Sequence, residues 1–374
     1  MTLQLKQPSK ISELESIRGI AALLVVFHHI PSWNSLLYNI TILKNASLMV
    51  ELFFVLSGFV IFKAYAEKIK SRNDLFKFQF LRFGRLYPVH IIFLLALVLI
   101  EVLRYVAVHK LGISNPNRVP FEENNWSAFL MQIFLVQAFW PNETAITFNG
   151  PAWSISAEFY TYLIFGLIVL YFNKIKLFIF YFVALLFLIL LVTIVPKDHN
   201  FFVRCVAGFF IGCCTAHLSE NMNFKIHSSM ILIPIVGILL YLQFRPANIH
   251  YDASIYFLTS VLILFIISSE GGVVKRILNL KLLNWLGAIS FSVYMSHSAI
   301  LWFVNQTYRT VFKPREAIID GISTPQLSLD GAILMYVIFI GLVLLVSHFV
   351  YKKIECPFRE RSRKFVNLTK VSVV

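Results

Sequence analysis

Charged residues make up only 14% of this 374-residue sequence, about half the share a soluble globular domain carries. With 58% hydrophobic residues and a mean hydropathy of +0.74, that scarcity excludes a soluble globule, a disordered chain and a fibrous repeat. Acidic residues are the scarcer sign: 19 Asp and Glu stand against 33 Lys and Arg, a net charge of +14. In a soluble protein this surplus would point to nucleic acid. Here no basic, aromatic-laced soluble module exists to bind it, and basic residues collect in the cytoplasmic loops of membrane proteins anyway. Cysteine is also scarce. Cys205, Cys213 and Cys214 share one apolar stretch and Cys356 lies in a basic tail, without a CxxC pair, so neither a disulfide framework nor a metal site is indicated. There is no HExxH, Walker loop or GxSxG, and hence no sign of metalloprotease, nucleotide-hydrolysing or serine-hydrolase chemistry.

What is present is apolar sequence in pieces of near-spanning length. Ten windows qualify: 17–33, 49–65, 87–108, 154–172, 177–195, 202–218, 229–245, 253–270, 284–307 and 331–351. The first follows Lys6, Lys10 and Arg18 like a signal peptide, but two histidines interrupt it and no small-residue cleavage site follows. It reads as a retained first helix. With the N-terminus inside, the inner segments hold 23 of the 33 basic residues, so both termini are expected in the cytoplasm. The fold class is an all-α polytopic transmembrane bundle of about ten helices, one membrane-embedded domain over 1–374. The 37 phenylalanines are read as lipid-facing surface. Lys63–Arg85 reads as a basic inner segment running into the third helix. Lys110–Ala152 reads as a long outer loop with Asn115-Pro116-Asn117 and an apolar piece, Trp126–Trp140, too short to span.

Ionisable residues inside spanning helices are costly, which makes each a functional candidate. Arg18 and His29 are eleven residues apart, which on a helix puts them on one face about 16 Å apart. His28 falls about 80° away. A neutral imidazole at His29 could take a proton from a hydroxyl; equally, His29 could be a polar packing residue and Arg18 could snorkel to the headgroups. Arg82 and Arg85, at the expected start of the third helix, suit a phosphate-rich ligand, or are ordinary inner-face charge. Glu158, in Trp153-Ser-Ile-Ser-Ala-Glu158, needs a cation or donor nearby, and an Arg or His is the natural partner. Ser57-Gly58, in Glu51-Leu-Phe-Phe-Val-Leu-Ser57-Gly58, marks a close helix crossing more readily than a nucleophile. His297, in Tyr294-Met-Ser-His297, is a further buried candidate.

Taken in order, these segments resemble the acyltransferase-3 family of integral membrane acyltransferases. The resemblance starts at Ile11-Ser-Glu-Leu-Glu-Ser-Ile-Arg18-Gly and the Arg18/His29 pair. It runs through Glu51 to Phe59, Phe80-Leu-Arg82-Phe-Gly-Arg85-Leu-Tyr-Pro88, Pro151-Ala-Trp-Ser-Ile-Ser-Ala-Glu158-Phe-Tyr160 and Leu286 to His297. It ends at Ile354-Glu355-Cys-Pro357-Phe358-Arg359, so it covers about residues 11–360. Ala157 and Phe291 stand where the family often has other residues, and Met295-Ser296 replaces a more apolar pair. The resemblance implies acylation of a glycan or similar acceptor from cytoplasmic acetyl-CoA or another acyl-CoA. In it, the histidine matching His29 is the base, and the arginines matching Arg18, Arg82 and Arg85 handle the donor. Some members carry a fused extracytoplasmic SGNH domain; none is expected here, so the chain completes transfer itself or hands the acyl group to a separate extracytoplasmic acyltransferase.

The expected catalytic residues are therefore His29, Glu158 and Arg18, with Glu158 either orienting His29 or pairing with Arg18. Arg82, Arg85 and Arg18 are expected to bind the donor. Trp153, Ser57, Tyr294 and His297 are expected to bind substrate. No permanently bound cofactor, metal or nucleic acid is expected; the partners are acyl-CoA, a glycan or lipid-linked sugar, and the lipid bilayer of a bacterial inner membrane. A secondary transporter is the alternative, since it too would have ten helices and mid-membrane charge, but no repeat or pair of broken helices supports it. A non-catalytic membrane scaffold is the third reading, and it would tolerate His29→Ala.

Overall fold

The computed structural model describes residues 11–112, 119–193, 201–246 and 252–368. The inner-segment lysines Lys6 and Lys10, the Asn115-Pro116-Asn117 turn and residues 369–374 fall outside it. Each of the ten apolar windows falls on a helix. In chain order the elements are α1 (Ser12–His28), α2 (Met49–Tyr65), α3 (Arg72–Leu111), the short α4 (Trp126–Ile133), α5 (Trp153–Tyr171), α6 (Lys176–Thr193) and α7 (Phe201–Glu220). They continue as α8 (Leu232–Gln243), α9 (Ser254–Ser268), α10 (Lys281–Phe312), a hairpin of β1 (Glu316–Ile319) and β2 (Ile322–Pro325), α11 (Leu329–Val350) and α12 (Cys356–Leu368). Seven of these (α2, α3, α5, α6, α7, α10 and α11) lie in stretches long and apolar enough to cross a membrane, and α8 and α9 are shorter apolar helices. The result is an α-helical multi-pass membrane protein.

Three boundaries differ from expectation, each for a local reason. α1 ends about a turn early: His29 and Ile30 close it with bonds to the carbonyls three residues back, and Pro31 holds the residue before it out of the helical region. The basic segment before the third window is itself helical, so Arg82 and Arg85 lie within α3 rather than at its start. Its start signal is the pair Ser71 and Asp74: the Ser71 hydroxyl accepts from the Asp74 amide at 3.1 Å and donates to its carboxylate at 2.8 Å, a reciprocal cap. The C-terminal segment continues as helix through a π turn at Tyr351–Glu355. Pro357, two residues on, has no N–H to give and crowds the carbonyl of Lys353, and the wider turn absorbs this. The hairpin is an addition to the all-α expectation: Asp320 and Gly321, both at positive φ, make the two-residue turn that joins such strands.

The chain divides into two compact units by internal contacts. One comprises residues 1–21, 48–80 and 160–288; the other comprises 22–47, 81–159 and 289–374. In the first unit, α2 and α7 cross at glycine. A Cβ on Gly58 would run into the carbonyl of Phe209, and one on Gly212 into the carbonyl of Val55, so the Ser57-Gly58 crossing is as expected. Backbones that approach this closely supply the dispersion and polar contacts that hold helices together in lipid. The same unit buries a charge pair. Glu51, 2% exposed, accepts from Arg204 Nε at 2.7 Å and from Tyr256 at 3.3 Å, which ties α2, α7 and α9 together. Phe165 stacks on Phe180 with ring centroids 5.4 Å apart, and Phe78, Phe209 and Phe210 are fully buried around them. Lipid-facing surface therefore accounts for only part of the phenylalanine: Phe178 and Phe182 are exposed, and these five are core.

Gly58→Ala is expected to lower the thermal unfolding midpoint in detergent by the equivalent of about 2 kcal/mol or more, since the added methyl meets backbone that cannot yield. Gly341→Ala is the control, because nothing lies within 4 Å of a Cβ there.

Candidate active site

The second unit carries the polar residues that a membrane interior does not tolerate without purpose. α1 delivers His28 and His29 at its C-terminal end. The Nδ1 of His29 lies 2.8 Å from the carbonyl of Val25, a group the helix leaves without an internal donor at its end. A carbonyl only accepts, so the ring's proton sits on Nδ1 and the Nε2 lone pair is left as the basic site. His29 is exposed. His28 is turned aside, its Nδ1 2.8 Å from the carbonyl of Lys44.

Behind His29 lies His297 of α10, at 4.8 Å between ring centroids, and it is wholly buried. Its Nδ1 faces the carbonyl of Val293 at 3.3 Å, and its Nε2 has no hydrogen-bond partner. The segment before α5 packs against the same turn of α10. Asn149 donates to the carbonyl of Met295 at 3.1 Å. The hydroxyls of Tyr294 and Ser154 both donate to the carbonyl of Pro151 at 3.0 Å. Tyr294 thus has its hydroxyl turned to backbone while its ring flanks His297 at 6.0 Å. Trp153 is buried at the first position of α5.

The loop that ends at Asn149 is held by buried amides. Gln137 bridges the side chain of Gln132 and the carbonyl of Ala152, both at 3.1 Å. Gln132 reaches the carbonyl of Thr147 at 2.8 Å. His90 of α3, also wholly buried, meets the carbonyl of Gln132 at 2.9 Å. Phe121, Leu135 and Phe148 in this loop all sit at positive φ, where a side chain is strained by about 1–3 kcal/mol. Such strain persists only where surrounding bonds fix the backbone, and here they hold Asn149 and Pro151 against α10. The apolar piece expected at Trp126–Trp140 is α4 followed by a 3-10 turn, Gln137–Phe139.

At another place in the same unit, α3 and α12 approach at Gly84, whose Cβ would overlap the hydroxyl of Ser362. Arg82 and Arg85 flank that glycine, both half-buried. On the other side, α12 brings Arg359, Arg361, Arg363 and Lys364 within three residues of Ser362. Glu355, in the π turn, is buried and accepts from Ser292 of α10 at 2.9 Å. Paired guanidiniums that close together suit phosphate.

The structure thus brings His29, His297 and Tyr294 together, and it places Arg82, Arg85, Trp153 and the half-buried Glu158 in the same unit. His29 takes its orientation from Val25. Arg18 and Ser57 belong to the first unit. There Arg18 pairs with Glu15 at 3.5 Å and Ser57 shares a 2.8 Å hydrogen bond with Tyr162. Sequence reasoning passed over His90 and Asn149. The rule that flagged His29, an ionisable group inside a spanning helix, would have found His90 as well; Asn149 lies in a loop and carries no such signal. Among the described residues no three His, Cys, Asp or Glu side chains group as metal ligands.

Residues 11–352 match the family model described as Acyltransferase domain. The chain is 32% identical over 173 residues to Acyltransferase MdmB of Streptomyces mycarofaciens, covering 43% of this chain and 40% of that protein. It is 32% identical over 161 residues to Protein 2 in picA locus of Rhizobium radiobacter, covering 40% of this chain and 78% of that one. It is 26% identical over 404 aligned positions to "Putative O-acetyltransferase SACOL0978" of Staphylococcus aureus, covering 97% of this chain but 59% of that protein. The chain therefore spans well under two thirds of the Streptomyces and staphylococcal relatives. No solved structure matches it. With the ordered motifs, the neighbouring His29 and His297 and a match over nearly its whole length, the chain belongs to the acyltransferase-3 family.

Proposed function

We propose that the chain transfers an acyl group, acetyl from cytoplasmic acetyl-CoA, to a hydroxyl of a glycan or lipid-linked sugar, with His29 as general base. The observation that carries this reading is the His29 ring: exposed, held by Nδ1 on a backbone carbonyl, with Nε2 left to accept a proton. The family supports acyl transfer, and the staphylococcal relative's name supports a hydroxyl as the acceptor. Ten helices with both termini in the cytoplasm of a bacterial inner membrane fit the 23 of 33 basic residues on inner segments.

The steps balance as follows. His29 Nε2 takes the proton of the acceptor hydroxyl as its oxygen attacks the thioester carbonyl. The carbon–sulfur bond breaks, and the CoA thiolate leaves with the proton that His29 returns. Ester and free CoA are the products, and the base is restored. The donor's phosphates are held by Arg82 and Arg85. An acceptor too large for this site would receive the acyl group through a separate extracytoplasmic acyltransferase.

The test uses membrane vesicles given acetyl-CoA labelled in the acetyl group, with wild type and His29→Ala in parallel. Label is expected to enter a glycan or lipid fraction with the wild type and to fall by about 10²–10⁴-fold in the variant, the usual contribution of a general base. Equal transfer by both would remove His29 from the chemistry.

A further inference from the structure

We propose that the pocket formed by the ends of α2 and α7 and the start of α6 binds an anionic phospholipid whose headgroup carries free hydroxyls, of the phosphatidylglycerol class. All its residues belong to the first unit. Its volume is about 150 Å³, below the about 300–1,000 Å³ of pockets that enclose a drug-sized ligand, so it suits a headgroup and not a nucleotide. Lys176, the first residue of α6, is 7% exposed. It spends its three N–H donors on the carbonyl of Ala66 at 2.8 Å, the carboxylate of Glu67 at 2.6 Å and Asn173 at 2.8 Å. Lys63 pairs with Glu220 at 3.1 Å. Both carboxylates therefore have their charge matched. Glu67 is still 80% and Glu220 49% exposed, with lone pairs left for neutral donors such as hydroxyls. Lys68 pairs with no carboxylate among the described residues; its ammonium lies over the Tyr65 ring at 5.9 Å. His217 Nδ1 is 3.1 Å from the Tyr181 hydroxyl, and when that hydroxyl donates, the ring proton sits on Nε2 and is there to give. A cation and an N–H donor suit a phosphate, and the two paired acids suit hydroxyls. An ammonium headgroup would find both acids already taken.

Tyr181 also says where the ligand comes from. On α6 it shares a face with Phe178, Phe182, Leu185 and Ile189, at helical spacing, and all five are exposed. α6 is long and apolar enough to cross a membrane, which makes that face one for lipid. His217 in the pocket and the lipid face of α6 thus meet at one hydroxyl, so a ligand with its phosphate in the pocket has its acyl chains beside that face. Residues 63–68 and 173–176 also lie in segments that the basic bias assigns to the inner side. Basic pockets between spanning helices on that side collect anionic headgroups.

The experiment titrates the full chain in detergent with dioleoyl phosphatidylglycerol and follows the thermal unfolding midpoint, which a ligand of the folded state raises with its concentration. Phosphatidylcholine and phosphatidylethanolamine with the same chains, and glycerol 3-phosphate without chains, run in parallel. The midpoint is expected to rise with phosphatidylglycerol and to stay put with the other three at equal concentration. In the double variant Lys68→Gln with His217→Gln, the curve is expected to move to at least about 10-fold higher lipid, the worth of one basic charge near an anionic lipid and one hydrogen bond to phosphate. Lys68 is exposed and His217 partly so, so the lipid-free midpoint is expected to hold. Should the double variant fail to fold, Lys68→Gln alone decides, with an expected move of about 5-fold. An equal or larger rise with either other phospholipid, the full rise with glycerol 3-phosphate, or an unmoved curve in the variants would each overturn the proposal.

Discussion

Replacing Arg82 and Arg85 together by leucine is expected to raise the KM for acetyl-CoA by at least about 10²-fold while kcat at saturating donor stays within a few-fold. Each guanidinium on a phosphate makes a charge-assisted bond worth about 1.5–3 kcal/mol, and the half-buried position on α3 leaves part of that to solvent screening. On the proposed donor role the loss falls on KM, because phosphates bound there would be held alike in ground and transition states. Lysine at both positions keeps the charge without the planar fork and should restore only part of the affinity. Substrate saturation curves in vesicles separate the two parameters. A fall in kcat at unchanged KM would move these arginines from the donor to the reacting centre. Retention of the wild-type KM would assign them to inner-face charge alone.

Arg204→Met is expected to destabilise the protein by about 3–5 kcal/mol, because it leaves Glu51 charged, buried and without its cation. Tyr256 supplies only one hydrogen bond to that carboxylate. The double variant Glu51→Leu with Arg204→Met should recover most of the loss, since an apolar pair of similar volume carries no desolvation penalty. Thermal unfolding in detergent reads both. Equal destabilisation by the single and double variants would mean that the pair's packing, not its charge, holds α2, α7 and α9.

How much of this was legible in the sequence depended on how each residue signals. The ten apolar windows each found a helix because spanning length is a coarse property that survives boundary errors. Gly58 was readable as a crossing because a small residue in an apolar helix has few other uses. Arg204 was not, since an arginine inside an apolar stretch says only that it needs a partner. That partner, Glu51, lies 153 residues away. The start of α3 was hidden for another reason: the six charged residues from Lys63 to Asp74 outweighed the Ser71 and Asp74 cap. At the site, the spacing to Arg18 singled His29 out, but Arg18 pairs with Glu15 while His29 lies just past the end of α1. The group that orients it is a carbonyl, which every residue has, so no residue type could announce Val25. The burial of His297 behind it is likewise a product of packing, and the orphan Nε2 appears only once the surrounding atoms are placed.

The segment just past His29 is also tied to a distant part of the chain. The indole of Trp33, fully buried, donates to Asn305 at 2.7 Å. The amide of Leu327 meets the carbonyl of Trp33 at 2.8 Å, Gln326 reaches the carbonyl of Ser32 at 3.0 Å, and Tyr38 bonds Asp320 of the hairpin turn at 2.8 Å. Trp33 and Asn305 are 272 residues apart in sequence. At ribosomal speeds of about 5–20 residues per second, those partners emerge on the order of 15–60 s after α1. The segment that follows the first helix therefore waits for nearly the last ones before Trp33 is seated. The packing around this end of α1 is completed only when α10 and the hairpin have been made.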